Sequence, residues 1–484
     1  MNPANASFMA KLTQGSGLLF TANLLSKALT ILMLPLLTAL LPPELYGEAA
    51  LAGTLISLAS MLALAGMDVS YARAYFGAGN ASGAQVEMLI WRRGFWHALA
   101  AAVFAALIWV AYSRFQLGMH TELASLVALG VFGTLFAALA QVRARLLGHY
   151  RRMAAGILVA SLLGYAVIFI FAIRPATSVF ALVAGSVVLV WVSGLSQKLP
   201  NAGKLLKNTE PTDAATTHKI LAVGLPVMLT APAFWIVGSA DRWFLGVSAT
   251  TAEVGIYAIG VSFGTLGMML NSAVLSAWVP EIIREYESNA DNSYKAFGQA
   301  KRLLILAYAF VWVAIVSLSP ELIRLLVDAR YHEAMKVVPW IAGGVFFYGC
   351  AHLFNTVFLL ERRLTMTAVI WAVAIVLSLA CNAWAVPRFG MLGAAIVQCF
   401  VFALVAIMHW WYSQKIKRIA VFSPVFMLKL SALFAIGYFG QNWQLGNILH
   451  TLVIKLFALA LLAAFILWRY SSLQPIQALS GEPS

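Results

Sequence analysis

The chain has few charged residues for its length. Only 10% of its 484 residues are Asp, Glu, Lys or Arg, whereas 62% are hydrophobic, and the mean hydropathy is +0.86. Soluble proteins carry about 25% charged residues. The scarcity of charge therefore excludes a soluble globular protein and a disordered chain, and it indicates a membrane protein.

Cysteine and catalytic motifs are also scarce. The three cysteines lie in apolar segments, which is typical of packing residues and excludes a disulfide scaffold. The sequence contains no phosphate-binding G-x-x-x-x-G-K-[ST] loop, and its longest polar loop spans only 196–219. We therefore expect no catalytic residue, no cofactor and no metal site, and we predict that the protein is not an enzyme.

Long apolar stretches make up most of the sequence. A membrane helix needs ~20 mostly apolar residues, and lipid offers no hydrogen-bond partner to an unpaired backbone. The pattern predicts an all-α polytopic protein with fourteen spans. The predicted spans are 18–41, 49–67, 94–112, 123–141, 153–173, 177–195, 220–246, 254–279, 303–319, 337–359, 365–386, 391–412, 421–440 and 448–468.

The basic residues behind the net charge of +14 are concentrated in every second loop between the predicted spans. The N-terminus and the even-numbered loops hold 22 of the 32 Lys and Arg residues, and the odd-numbered loops hold six. Cytoplasmic loops of membrane proteins carry the excess of bases. The distribution predicts a multi-pass protein of the cytoplasmic membrane with both termini in the cytoplasm. It also removes the reason to expect a nucleic-acid partner.

The polar loop 196–219 divides six spans from eight. We predict an N-terminal six-helix bundle over 1–195, a cytoplasmic linker over 196–219, a second six-helix bundle over 220–412, and two additional helices with a tail over 413–484. A shift of 208 residues aligns Gly47 with Gly255 and suggests an internal repeat. Parallel six-helix repeats are typical of transporters that bind substrate between two halves.

Lys27 is the most informative polar residue inside a predicted span. Asn23, Lys27 and Thr30 share one helix face and form a candidate substrate-binding stripe. A buried cation marks a functional site because an ionisable group at mid-bilayer costs about 2.5–3.5 kcal/mol. Lys27 either binds an anionic group in a cavity or is a snorkelling or structurally paired lysine.

Two acid–base pairs lie near span ends. Asp241 and Arg242 are adjacent in span 7, so they face different partners. Arg242 either clamps a phosphate or ties span 7 to another helix, and Asp241 is a structural or gating ion-pair residue. Asp68 and Arg73, at the inner end of span 2, form a candidate gate or helix-end ion pair.

Further polar residues allow two interpretations each. His352 and Asn355 share a face of span 10 with Tyr348 and either join helices or line the cavity. Lys455 in span 14 is expected to snorkel, as is Lys429 in span 13. The segment 321–336 is predicted to be an amphipathic helix on the outer face.

Four segments together resemble a known family. They read LLPPELYGEAALAGTLISLASMLALAGMD, SADRWFLGVSATTAEVGIYAIGVSFG, SPELIRLLVDARYHEAMKVVPWI and PRFGMLGAA. With fourteen helices, the chain resembles the polysaccharide-transporter branch (Wzx-type lipid-linked oligosaccharide flippases) of the multidrug/oligosaccharidyl-lipid/polysaccharide exporter superfamily. The resemblance implies two pseudo-symmetric six-helix bundles around a central cavity, with two extra C-terminal helices.

The resemblance also implies a function. It implies that the protein moves an undecaprenyl-diphosphate-linked oligosaccharide across the bacterial cytoplasmic membrane by alternating access, for O-antigen, capsule or exopolysaccharide synthesis. Candidate partners are membrane lipids, H+ or Na+ as coupling ion, and the polysaccharide polymerase and export machinery. The alternatives are a cation-coupled multidrug exporter of the same superfamily and, less favoured, a membrane-bound polymerase or acyltransferase.

Overall fold

A computed structural model describes residues 3–77, 83–116, 119–172, 178–200, 217–218, 225–288, 290–361, 363–418, 421–444 and 446–471. Within these ranges the chain is helical, with turns and no strand. Its helices are α1 Pro3–Leu40, α2 Pro43–Leu64, α3 Met67–Gly77, α4 Gly83–Phe115, α5 Leu123–Leu146, α6 Tyr150–Ala172, α7 Ser178–Leu195, α8 Leu225–Ser248, α9 Thr251–Gly264, α10 Met268–Ser288, α11 Ala290–Leu326, α12 Val338–Leu360, α13 Leu364–Ile416, α14 Pro424–Asn442 and α15 Ile448–Ser471. Short 3-10 turns occupy Thr265–Gly267 and Ala329–Lys336.

The predicted all-α membrane class is confirmed. In the described part of the chain, twelve helices are long and apolar enough to cross a membrane. One of them, α13, covers the two predicted spans 365–386 and 391–412. The backbone is not helical at Gly390, between these spans, where φ is +53° and ψ is −139°. That backbone conformation strains residues with a side chain and is open to glycine.

The chain divides into two compact units. Unit 1 comprises residues 1–259 and 362–405. In it α6 packs on α1 and α7, α5 packs on α4 and α7, and α2 packs on α5 and α8. The helices pack through small and branched side chains such as Leu51, Val131 and Ala140, all fully buried.

Two glycines of unit 1 allow α2 and α9 to approach closely. A Cβ added to Gly47 would lie 1.9 Å from the Thr251 carbonyl oxygen, and one added to Gly255 would lie 2.1 Å from the Pro43 carbonyl oxygen. Since no side chain fits at either position, the two backbones are in direct contact. The shift of 208 residues relates Gly47 to Gly255 and Pro43 to Thr251, so the contact joins corresponding positions of the suggested repeat.

Unit 2 comprises residues 260–361 and 406–484. Its central helix is α11, which packs on α10, α12, α14 and α15. A cavity of about 930 Å³ lies among α11, α14 and α15. Its lining is apolar apart from a few polar groups, which include Ser317 and Lys455.

The prediction of an amphipathic surface helix over 321–336 is wrong. Residues from Glu321 onward continue α11 through Pro320, and Glu321 is buried, as are Tyr331 and Ala334 in the following 3-10 turn. Apolar residues have the same helical spacing in a surface helix and in the continuation of a membrane helix, so the spacing could not distinguish the two. Pro320 did not end the helix, because proline is tolerated inside membrane helices.

Candidate functional site

A buried carboxylate forms the centre of a polar cluster in unit 1. Asp241 of α8 is 1% exposed, and Tyr257 of α9 is fully buried. The Tyr257 hydroxyl donates a hydrogen bond to Asp241 Oδ2, and the Arg242 main-chain N–H donates to Asp241 Oδ1 over 2.8 Å. The same hydroxyl lies 3.3 Å from Gln398 Oε1 of α13. A phenol has one proton to donate, so these two acceptors compete for it.

The Arg242 side chain extends the cluster. Its guanidinium interacts electrostatically with Asp241 and with the phenols of Tyr257 and Tyr46. Its buried Nε has no hydrogen-bond partner among the described residues. An unmet donor on a buried cation is unfavourable, so this group is available to an acceptor from a ligand.

A chain of hydroxyl groups continues from Arg242 to α1. Tyr46 interacts with Tyr165 of α6, and the Tyr165 hydroxyl lies beside that of Thr30. The Thr30 hydroxyl also donates to the Ser26 carbonyl over 3.1 Å. The structure therefore brings three predicted residues, Thr30, Asp241 and Arg242, into one polar cluster.

Lys27 lies one turn from Thr30 on α1. The residue is half-buried, and its ammonium group makes no hydrogen bond or ion pair with the described part of the chain. Asn23 is exposed and donates its side-chain amide to the Leu19 carbonyl over 2.8 Å, so that donor is already used within α1. Lys27 is thus a membrane-embedded cation without a described counter-ion.

The other predicted residues lie elsewhere. His352 and Asn355 are in α12 of unit 2, where the His352 ring packs edge-on against Tyr348 at 4.4 Å and its Nε2 has no hydrogen-bond partner within the described ranges. Asp68 and Arg73 are in α3, and the described structure contains no ion pair between them. The role of each as a substrate contact or a gate stays a prediction.

Sequence analysis missed the ion pair that is most buried in the described part of the chain. Lys455 Nζ lies 2.7 Å from Glu321 Oε1 and 3.0 Å from the Ser317 carbonyl oxygen, and Lys455 and Glu321 are at most 4% exposed. Snorkelling of Lys455 was therefore the wrong prediction. The error arose because Glu321 was placed in a surface helix instead of in α11.

Sequence analysis also did not single out Lys301. This residue lies within α11, is 1% exposed, and its Nζ sits 5.8 Å from the centre of the Phe354 ring. Tyr46, Tyr257 and Gln398 carried no signal in the sequence, since a tyrosine or a glutamine in an apolar span does not reveal its partner.

Known structures share this fold. The lipid II flippase MurJ, in an inward closed conformation, matches with a TM-score of 0.71 and 12% identity, covering 92% of this chain and 98% of that one. An inward-facing multidrug resistance transporter of the MATE family and the MOP superfamily matches with a TM-score of 0.59 and 16% identity over 84% and 96%. The MATE transporter VcmN of Vibrio cholerae, in its bent form, matches with a TM-score of 0.51 and 14% identity over 90% and 100%.

These likenesses define the class as multi-pass membrane proteins with the fold of flippases and exporters. The model of the polysaccharide biosynthesis protein family matches residues 12–285, more than half of the chain, and the protein belongs to this family. The predicted polysaccharide-transporter branch is thereby confirmed. A search of curated protein sequences finds no significant match.

Proposed function

We propose that the protein moves polyprenyl-diphosphate-linked oligosaccharide units across the bacterial cytoplasmic membrane by alternating access. The units would serve O-antigen, capsule or exopolysaccharide synthesis. Family membership supports a transporter for polysaccharide biosynthesis. The observation that carries the choice of an anionic lipid-linked substrate is Lys27, a cation within an apolar helix that has no described counter-ion.

A diphosphate would provide the negative counter-charge that Lys27 lacks among the described residues. Charge-assisted hydrogen bonds from Lys and Arg to phosphate oxygens are about twice as strong as neutral ones. In this proposal Lys27 and Arg242 bind the diphosphate, and Asn23 and Thr30 lie on the same helix face as Lys27. His352 and Asn355 are proposed contacts of unit 2 with the glycan, and Asp68 and Arg73 a proposed gate pair.

The coupling ion would act at Asp241. Its carboxylate accepts hydrogen bonds from Tyr257 and from a main-chain N–H, and the single proton of Tyr257 has two possible acceptors. Binding of H+ or Na+ at Asp241 would release that hydroxyl to Gln398. Transport would then be coupled to an ion gradient through α8, α9 and α13, with both termini in the cytoplasm.

Replacement of Lys27 tests the proposal. Lys27→Ala is expected to abolish surface polysaccharide in a strain that depends on this protein, because the diphosphate then enters lipid without a counter-charge. Lys27→Arg keeps the charge and should retain export. Lys336→Ala is the control, since Lys336 is exposed and pairs with Glu333 at 2.6 Å in the 3-10 turn outside the candidate site.

Membrane insertion of each variant is measured by protease protection and by immunoblot of membranes. Normal export by an inserted Lys27→Ala variant would contradict the role of Lys27. A deletion strain with normal surface glycan and altered drug susceptibility would instead support the multidrug exporter.

A further inference from the structure

Four basic side chains meet beside the turn between α5 and α6. Arg143 lies in the last turn of α5, His149 precedes α6, Arg152 lies in the first turn of α6, and Lys198 follows α7. Arg143, Arg152 and Lys198 all act electrostatically on His149. We call these four residues the turn cluster.

Hydrogen bonds hold the two arginines in place. Arg143 Nη1 donates to the Lys198 carbonyl oxygen over 2.5 Å, and Arg152 Nε donates to the Ser196 carbonyl oxygen. Arg143 Nε also bonds the carboxylate of Glu87 in α4. The chain that leaves α7 is thus held against α5 and α6 by the two arginines.

The cluster carries more positive charge than its described partners neutralise. Glu87 compensates Arg143, whereas Arg152 and Lys198 are exposed and have no carboxylate partner in the described structure. Burial lowers the pKa of His149, and the charges of Lys198, Arg143 and Arg152 lower it further.

Exposed leucines flank the same cations. Leu147, Leu195 and Leu199 are 36%, 54% and 38% exposed, and each lies within a few residues of a member of the turn cluster. Apolar side chains next to cations are typical of the boundary between acyl chains and headgroups, where each Lys or Arg is attracted to lipid phosphate. The surroundings therefore favour a lipid-borne anion over a soluble one.

We propose that the turn cluster binds the phosphate group of a membrane-embedded lipid. The terminal nitrogens of Arg152 and the ammonium group of Lys198 contact the phosphate oxygens, with His149 behind them. The phosphate belongs either to a resident anionic phospholipid or to the diphosphate of the lipid-linked substrate before transport. The second source rests on the proposed function, and the first does not.

Native mass spectrometry of the full-length protein in detergent tests this site. The titrants are phosphatidylglycerol, undecaprenyl diphosphate and inorganic pyrophosphate. Arg152→Gln/Lys198→Gln is expected to weaken lipid binding about 30-fold, because each interfacial base contributes about fivefold. Arg363→Gln/Arg418→Gln removes the same charge from exposed positions in other loops and should bind as the wild type does.

A second variant separates a loss of lipid binding from a loss of folding. Lys198→Glu changes a side chain that makes no hydrogen bond or ion pair within the described ranges, so it should keep the melting temperature and still lose lipid binding. Lys198→Arg keeps the positive charge and should retain lipid binding. Lys27→Ala should bind at the turn cluster as the wild type does, so failure of the proposed transport mechanism would leave this result unaffected.

The titrants distinguish the sources. Weakened binding of phosphatidylglycerol and undecaprenyl diphosphate alike supports a resident phospholipid site, and weakening of undecaprenyl diphosphate alone supports a substrate site. Unchanged dissociation constants for both lipids in both variants would overturn the proposal. If inorganic pyrophosphate bound as tightly as the lipids, the proposal that the site selects a phosphate carried by a membrane lipid would be overturned.

Discussion

Units 1 and 2 bury polar groups in different ways. In unit 2 the buried carboxylate of Glu321 pairs with the ammonium group of Lys455 at 2.7 Å. In unit 1 the buried carboxylate of Asp241 accepts hydrogen bonds from a neutral hydroxyl and a main-chain N–H. The Arg242 guanidinium acts on Asp241 electrostatically, but no hydrogen bond or ion pair joins the two side chains in the described structure. A carboxylate bonded to a buried cation cannot change charge without leaving that cation uncompensated, whereas one hydrogen-bonded only to neutral donors can. The comparison assigns a structural role to Glu321 and leaves Asp241 free to titrate or bind an ion.

The largest expected effect comes from breaking the pair of unit 2. Glu321→Gln leaves Lys455 buried without a counter-charge and should destabilise the protein by about 3–5 kcal/mol. Glu321→Gln/Lys455→Met removes both charges and should recover most of this loss. Thermal unfolding in detergent measures both variants. A double variant as unstable as Glu321→Gln would show that the charges do not act as a pair.

The glycine contact of unit 1 should give a smaller loss. Gly47→Ala places a Cβ against the Thr251 carbonyl oxygen and forces α2 and α9 apart, at an expected cost of about 1–3 kcal/mol. Gly53→Ala in the same helix is the matched control, because a Cβ at Gly53 meets no atom within 4 Å. The control should be neutral or stabilising by up to about 1 kcal/mol. Equal melting temperatures for the two variants would contradict the close approach.

The hydroxyl of Tyr257 should contribute about 1 kcal/mol. Tyr257→Phe removes one hydrogen bond to Asp241 and keeps the ring, so a loss of about 1 kcal/mol is expected. Transport should be slowed, because the hydroxyl no longer exchanges between Asp241 and Gln398. The melting temperature and the initial rate of export are measured on the same preparation. An unchanged rate would separate this hydroxyl from the transport step.

The smallest expected change in stability is that of Asp241→Asn. Asparagine keeps one oxygen to accept from the Arg242 main-chain N–H, and its amide N–H can donate to the Tyr257 hydroxyl, which then donates to Gln398. Both hydrogen bonds are therefore kept in number, and the melting temperature should shift little. Export that depends on an ion gradient should nevertheless be lost. A loss of stability as large as that of Glu321→Gln would remove the distinction between the two carboxylates.

The sequence was sufficient for the class of fold and for some of the intramembrane charges. The length of the apolar stretches predicted an all-α membrane protein, and Lys27, Asp241 and Arg242 stood out because charge is rare in apolar helices. Apolar stretches and isolated charges are properties of single positions or of neighbouring residues, so one sequence is enough to recognise them.

Partners could not be predicted in the same way. Tyr257 and Gln398 are 141 residues apart, and only the packing of α9 against α13 brings them together. The pairing of Lys455 with Glu321 required α11 to continue beyond Pro320, which the spacing of apolar residues could not establish. Lys301 did not stand out in the sequence because it precedes the continuous apolar stretch of α11, although it lies within that helix.

The contact between Gly47 and Gly255 has a consequence for the origin of the chain. Its two sides present equivalent residues to each other, as the surfaces of a two-fold symmetric homodimer do. A protein consisting of one repeat could therefore make this contact with a second copy of itself. Gene duplication and fusion would then have preserved an existing dimer interface inside a single polypeptide, after which each half was free to acquire its own buried charges.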